Sequence, residues 1–244
     1  MSLLDSTSAM ISKNKILILG LFVSTSFSQE VKWMSIGDLH NWYSAAGCEI
    51  ETGRTGQVSD QQDGLRYPAF YRVQDNQAAK GLWLGATNFY DPVVNKDYEY
   101  KVIHAGPRHL DIENETMPVD MTMDGKYDHP NVFVDGDPAT NLQYLDDVDN
   151  VDPSLPSDRR INNTVQTSIG VQMKRTIYAF SHPKHQNYHI QEYVFTNNGC
   201  FDADCNTSYE QTLEGFQVYL QYRYAISREG MVYDGNWLPQ SAAW

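Results

Sequence analysis

Phe216-Gln217-Val218-Tyr219-Leu220-Gln221-Tyr222-Arg223-Tyr224-Ala225-Ile226 decides how the chain is read. Phe216, Val218, Leu220, Tyr222, Tyr224 and Ile226 fall on one side of an extended backbone, and Gln217, Tyr219, Gln221 and Arg223 on the other. A repeat of two is the side-chain period of a strand, so the first set is expected against a core. The stretch Ile169 to Phe180 repeats the pattern: Ile169, Val171, Met173, Ile177 and Ala179 share a face, with Arg175 the charged exception and Gln172 and Lys174 opposite. Between the two, Tyr188 to Thr196 is apolar on both sides, as a central strand would be. Three such strands in succession predict an antiparallel meander, and so a mainly-β chain folded as an antiparallel β-sandwich. No strong 3.6-residue period separates them, which excludes a helix-crossover architecture.

Working outward, Leu82, Leu84 and Ala86 alternate with Trp83 and Gly85, and Tyr98, Tyr100 and Val102 alternate with Glu99 and Lys101, which predicts neighbouring strands of one sheet. Short strands are expected around Phe70 to Val73 and at Val132 to Val134. Ile36, Leu39 and Tyr43 stand at i, i+3 and i+7, with Ser35 able to cap and Gly47 able to stop, so at most one short N-terminal helix is expected there. Residues 105–168 hold most of the prolines and many acids, in turn-forming runs such as Asp135-Gly136-Asp137-Pro138, and read as an acidic region of long irregular loops.

Of 244 residues, 41% are hydrophobic and 12% aromatic, enough for a packed core. Lys and Arg number 18 against 31 Asp and Glu, a formal charge of -13 that excludes nucleic acid as a partner, because phosphates need basic grooves. Lys13 and Lys15 precede the apolar run Ile16 to Val23, and Ser26 and Ser28 follow it. This is the pattern of a signal peptide over residues 1–28, with cleavage expected after Ser28 and an extracellular domain over 29–244. No later run is long enough for a membrane span, so none is expected after signal removal.

Export permits disulfides. Cys200 and Cys205 lie in the turn-rich stretch Asn197 to Asn206 between two strand patterns, and a bridge between them is expected, leaving Cys48 as a small buried apolar residue. Asp135, Asp137, Asp146, Asp147, Asp149 and Asp152 offer hard oxygen ligands suited to calcium, against the plainer reading of a solvated acidic loop. Gln217, Tyr219, Gln221 and Arg223, with Trp237, could present a flat polar-aromatic face to sugars, against an ordinary solvated sheet face. His182, His185 and His189 have a spacing better suited to a helix than to the turn and strand around them, so solvent-facing histidines are expected rather than a metal site. Signature motifs for nucleophilic, metalloprotease, P-loop or dinucleotide chemistry do not occur in the sequence, and no catalytic residues are assigned.

Gly81-Leu-Trp-Leu-Gly-Ala-Thr-Asn-Phe-Tyr-Asp91, Lys101 to Arg108, Asn187 to Gly199, and Leu213 through Tyr224 resemble a group of large, uncharacterised secreted proteins of marine and Bacteroidetes-like bacteria, many of which end in a type IX secretion sorting domain. The likeness spans Trp33 to Trp244, and no sorting segment is present in this sequence. The resemblance implies one module of a longer protein and carries no catalytic residue.

The sequence thus leads to a non-enzymatic extracellular or cell-surface β-sandwich module with a structural or binding role, whose partners are other domains of a longer chain, cell-surface proteins or glycans. The alternative is a secreted protein that binds or hydrolyses glycans.

Overall fold

The computed structural model describes residues 30–49, 65–70, 76–105, 115–129, 133–138 and 146–224, with the backbone alone at 77–80, 138 and 223. Every regular element among them is a strand. In chain order these are β1 (Val31–Met34), β2 (His40–Ser44), β3 (Leu65–Arg66), β4 (Gln77–Asp91), β5 (Lys96–Ala105), β6 (Thr116–Gly125), β7 (Phe133–Val134), β8 (Asp137–Pro138), β9 (Asn150–Val151), β10 (Arg159–Thr167), β11 (Val171–Ala179), β12 (Ile190–Asn197) and β13 (Glu214–Tyr224). They form sheets ordered β1-β2-β3, β12-β11-β10-β6-β9 and β13-β4-β5, with a β7-β8 ribbon. All pairings are antiparallel except the short β6-β9 pair. The mainly-β, antiparallel expectation therefore holds.

Alternation along β10 and β11 explains where the core sits. Ile161, Asn163 and Val165 on β10 lie opposite Ile177, Arg175 and Met173 on β11, all on one buried face. At one end of that face, Val165 and Met173 join Leu84, Phe89 and Ile103 of the β13-β4-β5 sheet in a single apolar cluster. At the other end, Ile161 and Ile177 pack with Met123 of β6 and with Met34 and Tyr43 of the β1-β2 hairpin. One sheet face thus receives two different covers.

The hairpin replaces the short helix expected from Ile36, Leu39 and Tyr43. Trp33 pairs with Trp42 across it, and β-favouring aromatics outweigh a spacing that only three residues supported. The reversal is fixed from outside. Gly37 has φ +79°, a Cβ there would lie 2.7 Å from the Gln186 carbonyl oxygen, and that oxygen accepts the Asp38 and Leu39 amides at 2.8 and 3.3 Å.

Three further expectations are corrected. Within 105–168, β6 and β10 are long strands at the middle of the five-stranded sheet, and β10 is hidden in the sequence because Arg159 and Asn163 occupy buried positions that an apolar pattern would need filled by hydrophobes. β12 is an edge of that sheet and not a central strand, so its two apolar sides do not reflect burial on both faces. β13 pairs with β4 in the other sheet and does not extend the meander. Residues 198–213 carry the chain across: the Gly199 amide donates to Gly170, the Tyr209 amide donates to Gly199, and Phe201 inserts into the core. As an edge strand β13 buries Phe216 only in part, and Val218, Leu220, Tyr222 and Tyr224, expected inside, are exposed. Strand signals at Phe70 to Val73 and Val132 fall largely outside the described residues, although Phe133 and Val134 do form β7.

Candidate functional site

On β4 and β5, Leu82, Leu84, Ala86, Ile103 and Ala105 point into the core, so the intervening residues point outward. Register then lines up three rings across three strands: Tyr219 of β13 lies opposite Trp83 of β4, which lies opposite His104 of β5. The Tyr219 and Trp83 centroids are 6.4 Å apart and nearly perpendicular, and those of Trp83 and His104 are 5.9 Å apart at 49°. Trp83 keeps 42% of its surface and Tyr219 57%, large values for side chains usually spent on cores. Beside the row on the same face stand Tyr100 and Val102, both exposed.

Glycines shape this surface. Gly81 and Gly85 flank Trp83 on β4; a Cβ at Gly81 would come within 3.2 Å of the indole Nε1, and one at Gly85 within 3.4 Å of Val102 Cγ2. The indole therefore lies over Gly81, and the Val102 side chain borders Gly85. His104 is steadied by Glu115, whose Oε2 accepts its backbone amide at 3.1 Å and lies 3.0 Å from its Nδ1. Of the face expected from sequence, Gln217 and Tyr219 are exposed and Gln221 is half-buried beside them. Arg223 is placed by its backbone only, and Trp237 lies outside the described residues. Trp83, His104 and Tyr100 were missing from that reading. The available signal was a tryptophan on the polar side of an alternating strand, between two glycines.

A second concentration of chemistry is buried under the hairpin. Arg175, 1% exposed, donates from Nη2 to the Ser44 carbonyl at 2.8 Å and to Asn163 Oδ1 at 3.0 Å, and lies over the Tyr43 ring. Its Nε and Nη1 make no hydrogen bond among the described residues. Glu49, also buried, accepts from Asn41 Nδ2 and from Gln191 Nε2 at 2.5 Å, and Gln191 Oε1 in turn accepts the Tyr193 hydroxyl at 2.7 Å. Burial pushes the Cys48 thiol up to about 11 and raises the Tyr43 and Tyr193 phenols above their ordinary range, with Glu49 adding to each and Arg175 opposing. A thiol held in its neutral form is a poor nucleophile.

The acidic segment is knitted to its surroundings. Asp146 accepts from Ser35 Oγ and lies 2.7 Å from His129 Nε2. Asp149 accepts the Met123 amide at 2.6 Å and Lys32 Nζ at 2.9 Å. Asp152 accepts the Ser154 amide and hydroxyl at 2.9 and 2.6 Å, bonds that hold its carboxyl below the usual range. Asp135 and Asp137 are exposed at the tight β7-β8 turn, and Asp147 is exposed. No three His, Cys, Asp or Glu side chains converge as metal ligands do among the described residues. The histidines also separate: His182 and His185 are exposed neighbours in the turn after β11, while His189 Nδ1 meets the Tyr43 hydroxyl at 2.8 Å.

Cys200 and Cys205 are bonded to each other, with Cα atoms 4.8 Å apart, and Cys48 is free and buried. Inside the loop, Asp202 accepts the amides of Asp204, Asn206 and Thr207, which keeps its carboxyl low, the Asn206 bond contributing most. No helix among the described residues is long and apolar enough to cross a membrane. No family model, curated protein or solved structure matches this chain.

Proposed function

We propose that this chain is a non-enzymatic extracellular or cell-surface β module of a larger bacterial protein, and that it works by binding through the outer face of the β13-β4-β5 sheet. The row Tyr219, Trp83, His104 carries this reading. Exposing an indole and a phenol together forgoes the stabilisation that burying them would give, roughly 25 cal/mol per Å² of apolar surface, and solvent-facing aromatics on rigid strands are the residues that dominate binding sites. The strands fix the rings in place, so a partner meets a preorganised surface and little side-chain freedom is lost on contact. The buried group around Arg175 and Glu49 supports the non-enzymatic half of the reading, since both charged side chains are held beneath the hairpin by neutral amides and a backbone carbonyl.

The test is binding of labelled full-length protein to intact cells and extracellular matrix of the bacterium that encodes it. Trp83→Ala is expected to weaken binding about tenfold or more, near 1.4 kcal/mol. Val194→Ala, on the outward face of the other sheet opposite Lys174, is expected to bind as the parent does. Equal binding by all three proteins would remove the face from the account.

A further inference from the structure

Resting on that reading of the face, we propose that its ligand is a neutral polysaccharide, laid across the strands along the line Tyr219, Trp83, His104. A pyranose ring has a C–H face that packs on an aromatic ring and a rim of hydroxyls that needs donors and acceptors together. The row supplies both. Rings succeed one another at 6.4 and 5.9 Å, the scale of one sugar residue, and they follow the direction across the sheet, which is where a linear chain would run. Gln217 and Gln221 sit two residues either side of Tyr219 on the same face, about 7 Å away along the strand, and each amide both donates and accepts. At Gly81 the missing side chain lets the indole lie down against the strand, its Nε1 3.2 Å from where a Cβ would stand, so the ring offers its face and not its edge to a sugar.

Charge decides the class of polysaccharide. The two amides, the indole and the phenol are uncharged, and His104 already has Glu115 beside it. With a formal charge of -13 overall, the chain repels uronic-acid or sulfated polymers at a distance. A neutral glycan pays no such penalty. A protein partner would find the β13 side of the row lined by the Gln217 and Gln221 amides, where a protein interface has a continuous desolvated centre.

Affinity electrophoresis of the full chain in native gels tests this, using mixed-linkage β-glucan, xyloglucan, galactomannan and soluble starch as neutral probes and alginate as the anionic one. At least one neutral probe is expected to retard the protein, and raising salt to about 0.5 M should leave the retardation unchanged. Trp83→Ala is expected to cut apparent affinity tenfold or more, Tyr219→Ala several-fold, and Val194→Ala not at all, with near-ultraviolet circular dichroism confirming that each variant is folded. If no neutral probe retards the protein while its binding to cells still depends on Trp83, the polysaccharide assignment falls and the face survives as a site for something else. If retardation occurs but ignores Trp83, both the assignment and the face are wrong. Salt-sensitive retardation by alginate alone would overturn the neutral class.

Discussion

Asn163 and Arg175 face each other across β10 and β11, and the Asn163 carboxamide oxygen accepts a 3.0 Å bond from Arg175 Nη2. The pair lies between Ile161 and Ile177 on one side and Val165 and Met173 on the other, so it divides the two apolar clusters of a single sheet face. Asn163 Nδ2 continues outward to the Ala45 and Asp120 carbonyls at 3.0 and 3.1 Å, and Arg175 reaches Ser44. Together they peg the hairpin to the sheet by its backbone. Arg175→Met keeps most of the volume but leaves the Asn163 oxygen unmet and the Ser44 carbonyl with the Gly47 amide alone, in a region that also buries Glu49. A loss of about 3–5 kcal/mol is expected in chemical denaturation. A loss under about 1 kcal/mol would show that the pair is packed but not structurally required.

Position in the sheet should outrank hydrophobicity in setting the cost of a deletion. Ile161 on β10 is fully buried among Met123, Ile177 and Met34, and Ile161→Ala is expected to cost about 2–5 kcal/mol by leaving a cavity. Leu220 on the β13 edge keeps 38% of its surface, and Leu220→Ala should cost roughly 1 kcal/mol, since solvent fills the space left. Unfolding midpoints of the two variants against the parent check the contrast, and equal losses would mean that Leu220 is as enclosed as Ile161.

Alkali should undo this fold sooner than its charge alone requires. Burial raises the Cys48 thiol to about 11 and lifts the Tyr43 and Tyr193 phenols as well. Each folded group keeps a proton that the unfolded chain gives up at about pH 9 to 10, so in that range the unfolded state binds fewer protons than the folded one. Stability is therefore full below the unfolded values and falls as pH rises through them toward the folded ones. The melting temperature is expected to decline steadily above about pH 9, with phenolate absorbance from the buried tyrosines appearing only as the protein unfolds. A flat melting temperature across that range would contradict the burial assigned to Cys48 and Tyr43.

Strands whose apolar residues mostly alternate were legible, namely Val171 to Ala179, with Arg175 its one break, and the Leu82 to Ala86 stretch, and so was the loop that brings Cys200 to Cys205. Strand β10 was not, because Arg159 and Asn163 fill inward positions, and a buried polar residue satisfied by partners far along the chain looks like a surface residue in one dimension. The edge placement of β13 was equally hidden. Alternation reports which side chains share a face, whereas exposure depends on which strand pairs beside them. The same limit concealed half of the binding face: Tyr219 and Gln217 could be assigned to one side of their strand, but only the pairing of β13 with β4 and β5 brings Trp83 and His104 into line with them.

The measurement that bears most directly on the binding face is hydroxyl-radical footprinting of the full-length protein, free and bound to the cells or matrix that capture it. Trp83, Tyr219 and Tyr100 on the outer face of β13-β4-β5 are expected to lose most of their reactivity on binding, while Tyr178 and Tyr188, on and beside the five-stranded sheet, keep theirs. Protection of Tyr178 and Tyr188 with Trp83 and Tyr219 still fully reactive would place the contact on the other sheet and contradict the account.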